Sequence, residues 1–384
     1  MKSIQRSLAL ALFTLASACA DTSDAADPPA GTDGADSADS ADGADGAETT
    51  DAADGSGGSD APTTAEVQRF MACEQDFPTI DPVEGYAWTP NAIELVSAEV
   101  APGVFAIFDS NADGHGPAGF PLATSGGFVV GEDGVAMVET MINRRLFCQA
   151  VGLIQEETDK PVRYAINTSH HGDHSYGNHF LPEGVEVVQH EATAAFINDP
   201  KSFAGDIAFM EMNFGADQGI DEIEARAADI EVGAEGWSVD LGGISVDAHY
   251  LGFGQTHGDL FVHVPGADVL FTGNPIVARA PAIPWLLDGR AAEVEETLRG
   301  VREQFPSATI VPGHDAPQGV AALDFPIDYL MTLLLETQAA VDAGETAEQA
   351  AASITMESFQ GYALWDWVHT SVNVPATYAE LSAE

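Results

Sequence analysis

Short apolar runs of strand length alternate with helix-like stretches from about residue 100 to residue 315, and helical periodicity takes over beyond that. Gly103–Phe108 is an apolar run of strand length. Gly126–Val130 and Val135–Glu139 flank Gly131-Glu132-Asp133-Gly134, and the Asp-Gly pair predicts a hairpin. Arg144 to about Glu157 reads as helix, Val162–Ile166 and Val185–Val188 as strands, with a helix starting at Glu191. Trp237–Leu251 holds two strand patterns around Gly242-Gly243, and Leu260–Val264 pairs with Val269–Thr272 across Pro265-Gly266. Ala291–Gln304 is a charged amphipathic helix, and Ala308–Val311 is a strand ending at Pro312-Gly313-His314. After Ala316 the chain reads mainly helical, most clearly over Ile327–Ala343. Strand pairs early and late, with helices between and after them, predict sheets packed together under outer helices: a layered α/β domain.

The first 64 residues follow a different pattern. Lys2 and Arg6 precede an apolar run, Leu8 to Leu15, and the small residues Ala16-Ser17-Ala18. The run is too short to span a bilayer, so residues 1–19 read as an export signal. Cys19 directly after it resembles a bacterial lipoprotein box, which implies cleavage before Cys19 and a lipid on its thiol. Residues 20–64 contain twelve acids, no base and no large apolar side chain. Such a stretch cannot bury enough surface to offset its chain entropy, and the expectation is a disordered acidic linker. The folded domain is then 65–384.

Charge narrows the partners. Thirteen Lys and Arg against 61 Asp and Glu give a formal −48. With the twelve linker acids, Lys2 and Arg6 set aside, 49 acids against 11 bases remain, a formal −38 for residues 65–384. Such a field repels phosphate backbones, so nucleic acid is excluded as a partner and a small molecule is expected. Contact with membrane is expected only through a lipid at Cys19, with the protein exported and surface-attached or periplasmic; oligomeric state is left open. In an oxidising compartment Cys73 and Cys148 either pair or lie buried separately, and sequence does not decide between these.

The chemistry gathers at strand ends. Four of eleven histidines fall in Ser169-His170-His171-Gly172-Asp173-His174-Ser175-Tyr176-Gly177-Asn178-His179, directly after the strand Val162–Ile166. Imidazole and carboxylate together on a loop suit zinc or a similar divalent ion. The run Asn167 to Asn178 resembles the metal-binding signature His-x-His-x-Asp-His of the metallo-β-lactamase superfamily. Further landmarks follow the family's order: Ser125–Val130, Gly252–Asp259, Val269–Asn274 and Ile310–His314. The resemblance implies an αββα sandwich with the metal site at one edge of the two sheets, and a helical C-terminal extension from about residue 316.

Departures from the signature matter as much as the matches. Its first histidine falls on Ser169, with His170 one place later; its third falls on Gln255, with His257 two places later; its bridging aspartate falls on Asn274. Of the family's first ligand set only His171 stands in register, whereas Asp173, His174 and His314 of the second set are all present. Three arrangements stay open. In one, a single zinc sits on Asp173, His174 and His314, with His171 free to take a proton from the attacking water. In another, His170 and His257 swing in and rebuild a second metal position. In the third, the site is degenerate and the protein only binds.

The expected function is an exported metal-dependent hydrolase, with zinc activating water for attack on an ester, lactone, amide or lactam carbonyl. His171 and Asp173 are the catalytic candidates, and His171, Asp173, His174 and His314 are the candidate metal ligands. Tyr176 and Asn178 are candidate donors to the developing oxyanion or, equally, caps of the helix near Ser175. Trp285, in a Pro-rich apolar stretch, is a candidate pocket wall or a buried connection. The competing expectation is a non-catalytic surface lipoprotein that binds a small molecule or an envelope partner. His190, His249, His263 and His369 lack metal-like spacing and read as structural, and Asn111–Gly116 reads as a turn.

Overall fold

The computed structural model describes residues 68–383, so the export segment, Cys19 and the acidic linker lie outside the described residues. Seven strands form the first sheet in chain order: β1 Leu95–Ala101, β2 Val104–Asp109, β3 Gly126–Val130, β4 Val135–Val138, β5 Val162–Ile166, β6 Glu186–His190 and β7 Ile230–Val232. The first four are antiparallel; from β4 to β7 the pairing is parallel. The second sheet contains β8 Trp237–Asp240, β9 Ser245–His249, β10 Phe261–Val264, β11 Val269–Gly273, β12 Thr309–Pro312 and β13 Gln318–Gly319, in the order β13-β12-β11-β10-β9-β8. Here β11 and β12 run parallel and the other pairs antiparallel.

The side-chain period of two explains the layering. Val104, Ala106, Val129 and Ile166 of the first sheet meet Val246, Ala248, Val262 and Val311 of the second in one buried cluster. The other face of the first sheet packs Phe128 and Met137 against Leu146 and Phe147 of the helix Arg144–Glu157 and Met210 and Phe214 of the helix Pro200–Phe214. Phe261, Leu270 and Ile310 of the second sheet's outer face pack against Val294 and Leu298 of the helix Ala291–Gln304 and Leu330 and Leu333 of the helix Asp324–Asp342. Helices Ala347–Ser353 and Val374–Ser382, with a wide-turn helix Asp366–Asn373 before the latter, complete that outer layer. The result is an αββα sandwich with a helical C-terminal region.

Several elements depart from the sequence expectation. The strand β1 was not foreseen. The helix beginning at Glu191 ends at Asn198, and another begins at Pro200. Asp199 makes the break: its carboxylate accepts the Ser202 N–H at 2.9 Å, and proline suits the first helical position. Asn111–Gly116 contains a four-residue helix, Ala112–His115, rather than a simple turn. Cys73 and Cys148 form a disulfide with their Cα atoms 5.3 Å apart, tying the short turn Met71–Cys73 to the helix Arg144–Glu157. Among the described residues no helix is long and apolar enough to cross a membrane.

Candidate metal centre

Three strand ends converge at one edge of the sandwich. After β5 the chain turns through Asn167-Thr168-Ser169 into a helical turn, Gly172–Ser175, that carries Asp173 and His174. β11 ends at Gly273, whose left-handed backbone (φ +59°) turns the chain to Asn274, and a Cβ there would lie 2.2 Å from the Thr168 hydroxyl. β12 delivers His314 two residues beyond its last position.

Asp173, His174 and His314 each offer one ligand atom, and these atoms lie within 4.8 Å of one another. His314 Nε2 is 3.4 Å and His174 Nε2 3.6 Å from Asp173 Oδ2. All three are held from behind. The Thr124 hydroxyl donates to Asp173 Oδ2 at 2.7 Å. His314 Nδ1 faces the carbonyl oxygen of Leu122 at 3.0 Å, which places its proton on Nδ1 and leaves Nε2 as a lone pair. His174 Nδ1 lies 3.1 Å from Glu139 Oε1, and Glu139 is itself buried and held by the hydroxyl of Thr168. Histidine backed by a carboxylate or carbonyl is the usual support of a metal ligand.

The electrostatics favour a cation. Burial works against charge on His174, but the Asp173 and Glu139 carboxylates outweigh it and raise the ring to about 9. Burial pushes His171 and His314 down to about 4, with Asp173 opposing in both cases. Asp173 is held below the usual carboxylate range although burial raises it, because His174, His314 and His171 surround it. The amide of Asn274 adds a further acceptor: its Nδ2 donates to Gln255 Oε1 at 2.8 Å, so its Oδ1 faces His174 Nε2 at 3.0 Å. His174 Nε2, the Asn274 amide oxygen and an Asp173 carboxylate oxygen meet in buried space, and with the ring raised to about 9 it is the imidazolium charge that joins them. A shared positive charge resolves that meeting, so this donor set fits a divalent ion of the zinc type.

The remaining candidates fall into two groups. His171, Gln255, Asn274 and Trp285 line one cleft together with Asp173 and His314. His170, His257, Tyr176 and Asn178 do not line it. The His170 ring stacks on Phe196 with centroids 3.6 Å apart, and His257 is exposed, edge-on to Phe253. Neither belongs to a group of converging ligand atoms, so the rebuilt second metal position is not what the geometry presents. The one-residue offset at His170 turns its ring to the helix Glu191–Asn198 instead of the cleft. The Tyr176 hydroxyl donates to buried Asp206 at 2.8 Å, and Asn178 is bonded to Asn167 and Thr140, so both brace the ligand loop from beneath.

Sequence reasoning missed Glu139, Thr124 and the Leu122 carbonyl. For Glu139 a signal existed: a carboxylate ending an otherwise wholly apolar strand. It also missed most of the cleft walls. The cleft is open to solvent and is walled by Trp88, Phe120, Phe209, Phe214, Trp285 and Tyr362 among others.

No curated protein sequence matches the chain. Among solved structures, a metallo-beta-lactamase from Pontibacter korlensis is 16% identical, with 62% of this chain and 99% of that one covered and a TM-score of 0.47. The stereoselective inverting sec-alkylsulfatase Pisa1 from Pseudomonas sp. is 16% identical over 76% of this chain, with a TM-score of 0.59. The match spans half the length of that sulfatase. A family model described as the metallo-beta-lactamase superfamily matches residues 119–314, more than half the chain and every converging ligand. The chain belongs to the metallo-beta-lactamase superfamily.

Proposed function

We propose that this protein is a metal-dependent hydrolase that cleaves an ester, lactone, amide or lactam. The observation that carries the reading is the convergence of Asp173 Oδ2, His174 Nε2 and His314 Nε2 beside an apolar cleft. A zinc-type ion held by these three side chains supplies Lewis acidity toward the carbonyl and makes nearby water more acidic. Thr124, Glu139 and the Leu122 carbonyl hold the three side chains in place, so little reorganisation is needed when the ion enters. His171, on the same cleft and outside the ligand group, is held neutral by burial, down to about 4, and is the candidate acceptor for the proton of the attacking water. The apolar walls exclude bulk water and strengthen every polar contact at the floor.

Export, with attachment through Cys19, belongs to the same reading. The basic, apolar and small residues of 1–19 in that order support it, as does the Cys73–Cys148 disulfide, which persists in an oxidising compartment.

A second reading, binding without turnover, rests on the neutral amide of Asn274, which faces His174 and donates to the amide oxygen of Gln255. One experiment decides between the two: metal content and turnover of an ester, lactone and lactam panel for purified wild type and His314→Ala. Hydrolysis predicts stoichiometric metal and turnover in wild type, with both lost in the variant. Metal-free wild type, or a variant that behaves identically, removes the hydrolase reading.

A further inference from the structure

We propose that the substrate is an uncharged ester or lactone carrying an extended apolar chain, which lies in the aromatic cleft beside Asp173 and His314. The proposal rests on the hydrolase reading and adds the substrate class.

Three observations carry it. First, the cleft walls are apolar almost throughout, and the polar groups His171, Asp173, Gln255, Asn274 and His314 are gathered at one place. An apolar body with a few convergent polar groups is the pattern of a site that buries the body of its ligand and orients one functional group. Phe120 is 45% exposed, an aromatic ring left to water where a chain would cover it.

Second, no lysine or arginine lines the cleft among the described residues. Arg279, next along the chain from the lining residues Val277 and Ala278, is committed to Asp315 through two hydrogen bonds of 2.7 and 2.8 Å. An anion entering this cleft would lose its hydration, meet no protein cation on the walls, and approach through the field of a strongly acidic chain. A sulfate ester or a carboxylated lactam is therefore a poorer substrate than a neutral ester of equal size.

Third, part of the wall comes from chain outside residues 119–314, which the superfamily model matches. Trp88 comes before that span and Tyr362 after it. Trp88 packs on Phe214 with ring centroids 4.5 Å apart, and the neighbouring Ala87 N–H donates to the Asn213 carbonyl at 3.0 Å. The Ala363 N–H donates to the Gly119 carbonyl at 2.7 Å, which holds Tyr362 against the segment carrying Phe120. Both flanks are thus fixed, and the cavity shape belongs to this chain's additions to the shared core.

The test uses zinc-loaded protein with nitrophenyl acetate, nitrophenyl octanoate, the nitrophenyl monoester of succinate and octyl sulfate. Each methylene that leaves water is worth about fourfold, so kcat/KM should rise at least about a hundredfold from acetate to octanoate. The succinate monoester and octyl sulfate should be hydrolysed more slowly than the octanoate. Phe120→Ala, at the exposed rim, should lower the octanoate-to-acetate ratio several-fold, and Phe120→Lys should shift preference toward the succinate monoester. Equal rates for acetate and octanoate, or a preference for either anion in wild type, overturn the proposal while leaving hydrolysis standing. Failure of hydrolysis itself is read separately, through quenching of tryptophan fluorescence by 2-decanone, with acetone and decyl sulfate as controls. Tight binding of 2-decanone alone, without turnover of any ester, supports the apolar neutral ligand and removes the hydrolase reading. No preference for 2-decanone over both controls overturns the proposal.

Discussion

Among the described residues, two groups of side chains each bring three ligand atoms within 4.8 Å: Asp173, His174 and His314 at the sheet edge, and Asp247, His249 and His263 on the second sheet. The second group follows from strand register alone. Asp247 and His249 are two residues apart on β9, hence on one face, and His263 on β10 lies directly opposite Asp247. The surroundings differ. Asp247 is taken by the hydroxyl of Ser238 at 2.5 Å, and His263 Nε2 stands 3.7 Å from the partly exposed carboxylate of Asp268, farther than the 3.1 Å between His174 and buried Glu139. The rings of His263 and His249 lie on Phe305, at 4.7 and 6.2 Å. At the sheet edge each ligand is instead braced by Thr124, Glu139 or the Leu122 carbonyl. Proximity of ligand types is cheap in a sheet; bracing each of them from behind is what distinguishes a site.

That contrast can be broken or sharpened in order of expected effect. His314→Ala should remove the metal and lower kcat/KM on the order of a thousandfold, matching the several kcal/mol a Lewis acid supplies. The double variant His249→Ala with His263→Ala should leave metal stoichiometry and turnover within about twofold. Elemental analysis beside turnover reads both; equal losses would abolish the distinction. Reduction of Cys73–Cys148, which anchors the segment leading to Trp88 on the first-sheet side, should lower stability by roughly 2–5 kcal/mol in denaturant titrations. Glu139→Gln should weaken metal affinity about 10- to 100-fold in competition with a chelator, whereas Asp268→Asn should not change it.

The smallest effect concerns a histidine whose two nitrogens are both satisfied by neutral groups. His369 Nε2 is 2.8 Å from the Ile354 carbonyl, and Nδ1 is 2.9 Å from the Tyr329 hydroxyl. Burial lowers its pKa below 6.5, with the bond to Ile354 opposing. The unfolded chain therefore binds this proton more readily. The stability is fully present above pH 6.5 and is lost as pH falls from there toward the folded pKa, by about 1.4 kcal/mol per unit of depression. Unfolding midpoints at about pH 8 and about pH 5 should differ less in His369→Gln than in wild type. An identical difference would show that His369 is not the group responsible.

Much of this was legible in the sequence for a physical reason: the hairpin over Gly126–Glu139, β5, the pair β10 and β11, and β12 carry strong local patterns, and the resemblance aligned its landmarks on their ends. The same ends brought Asp173, His174 and His314 into view. What was not legible depends on chains meeting in space. Glu139 reaches His174 only after β4 and β5 pair in parallel, and Trp88 becomes a cleft wall only by resting on Phe214. The partners Cys73 and Cys148 lie 75 residues apart. The offsets at His170 and His257 were visible, but only packing against Phe196 and Phe253 decides where those rings go.

The amide of Asn274 has a chemical lifetime as well as a geometry. Asparagine in most contexts ages to aspartate when the following backbone nitrogen closes a ring onto its side chain. Pro275 follows Asn274, and its nitrogen carries no hydrogen. That route of spontaneous deamidation is closed, so an old molecule keeps the same neutral amide beside His174 that it was synthesised with.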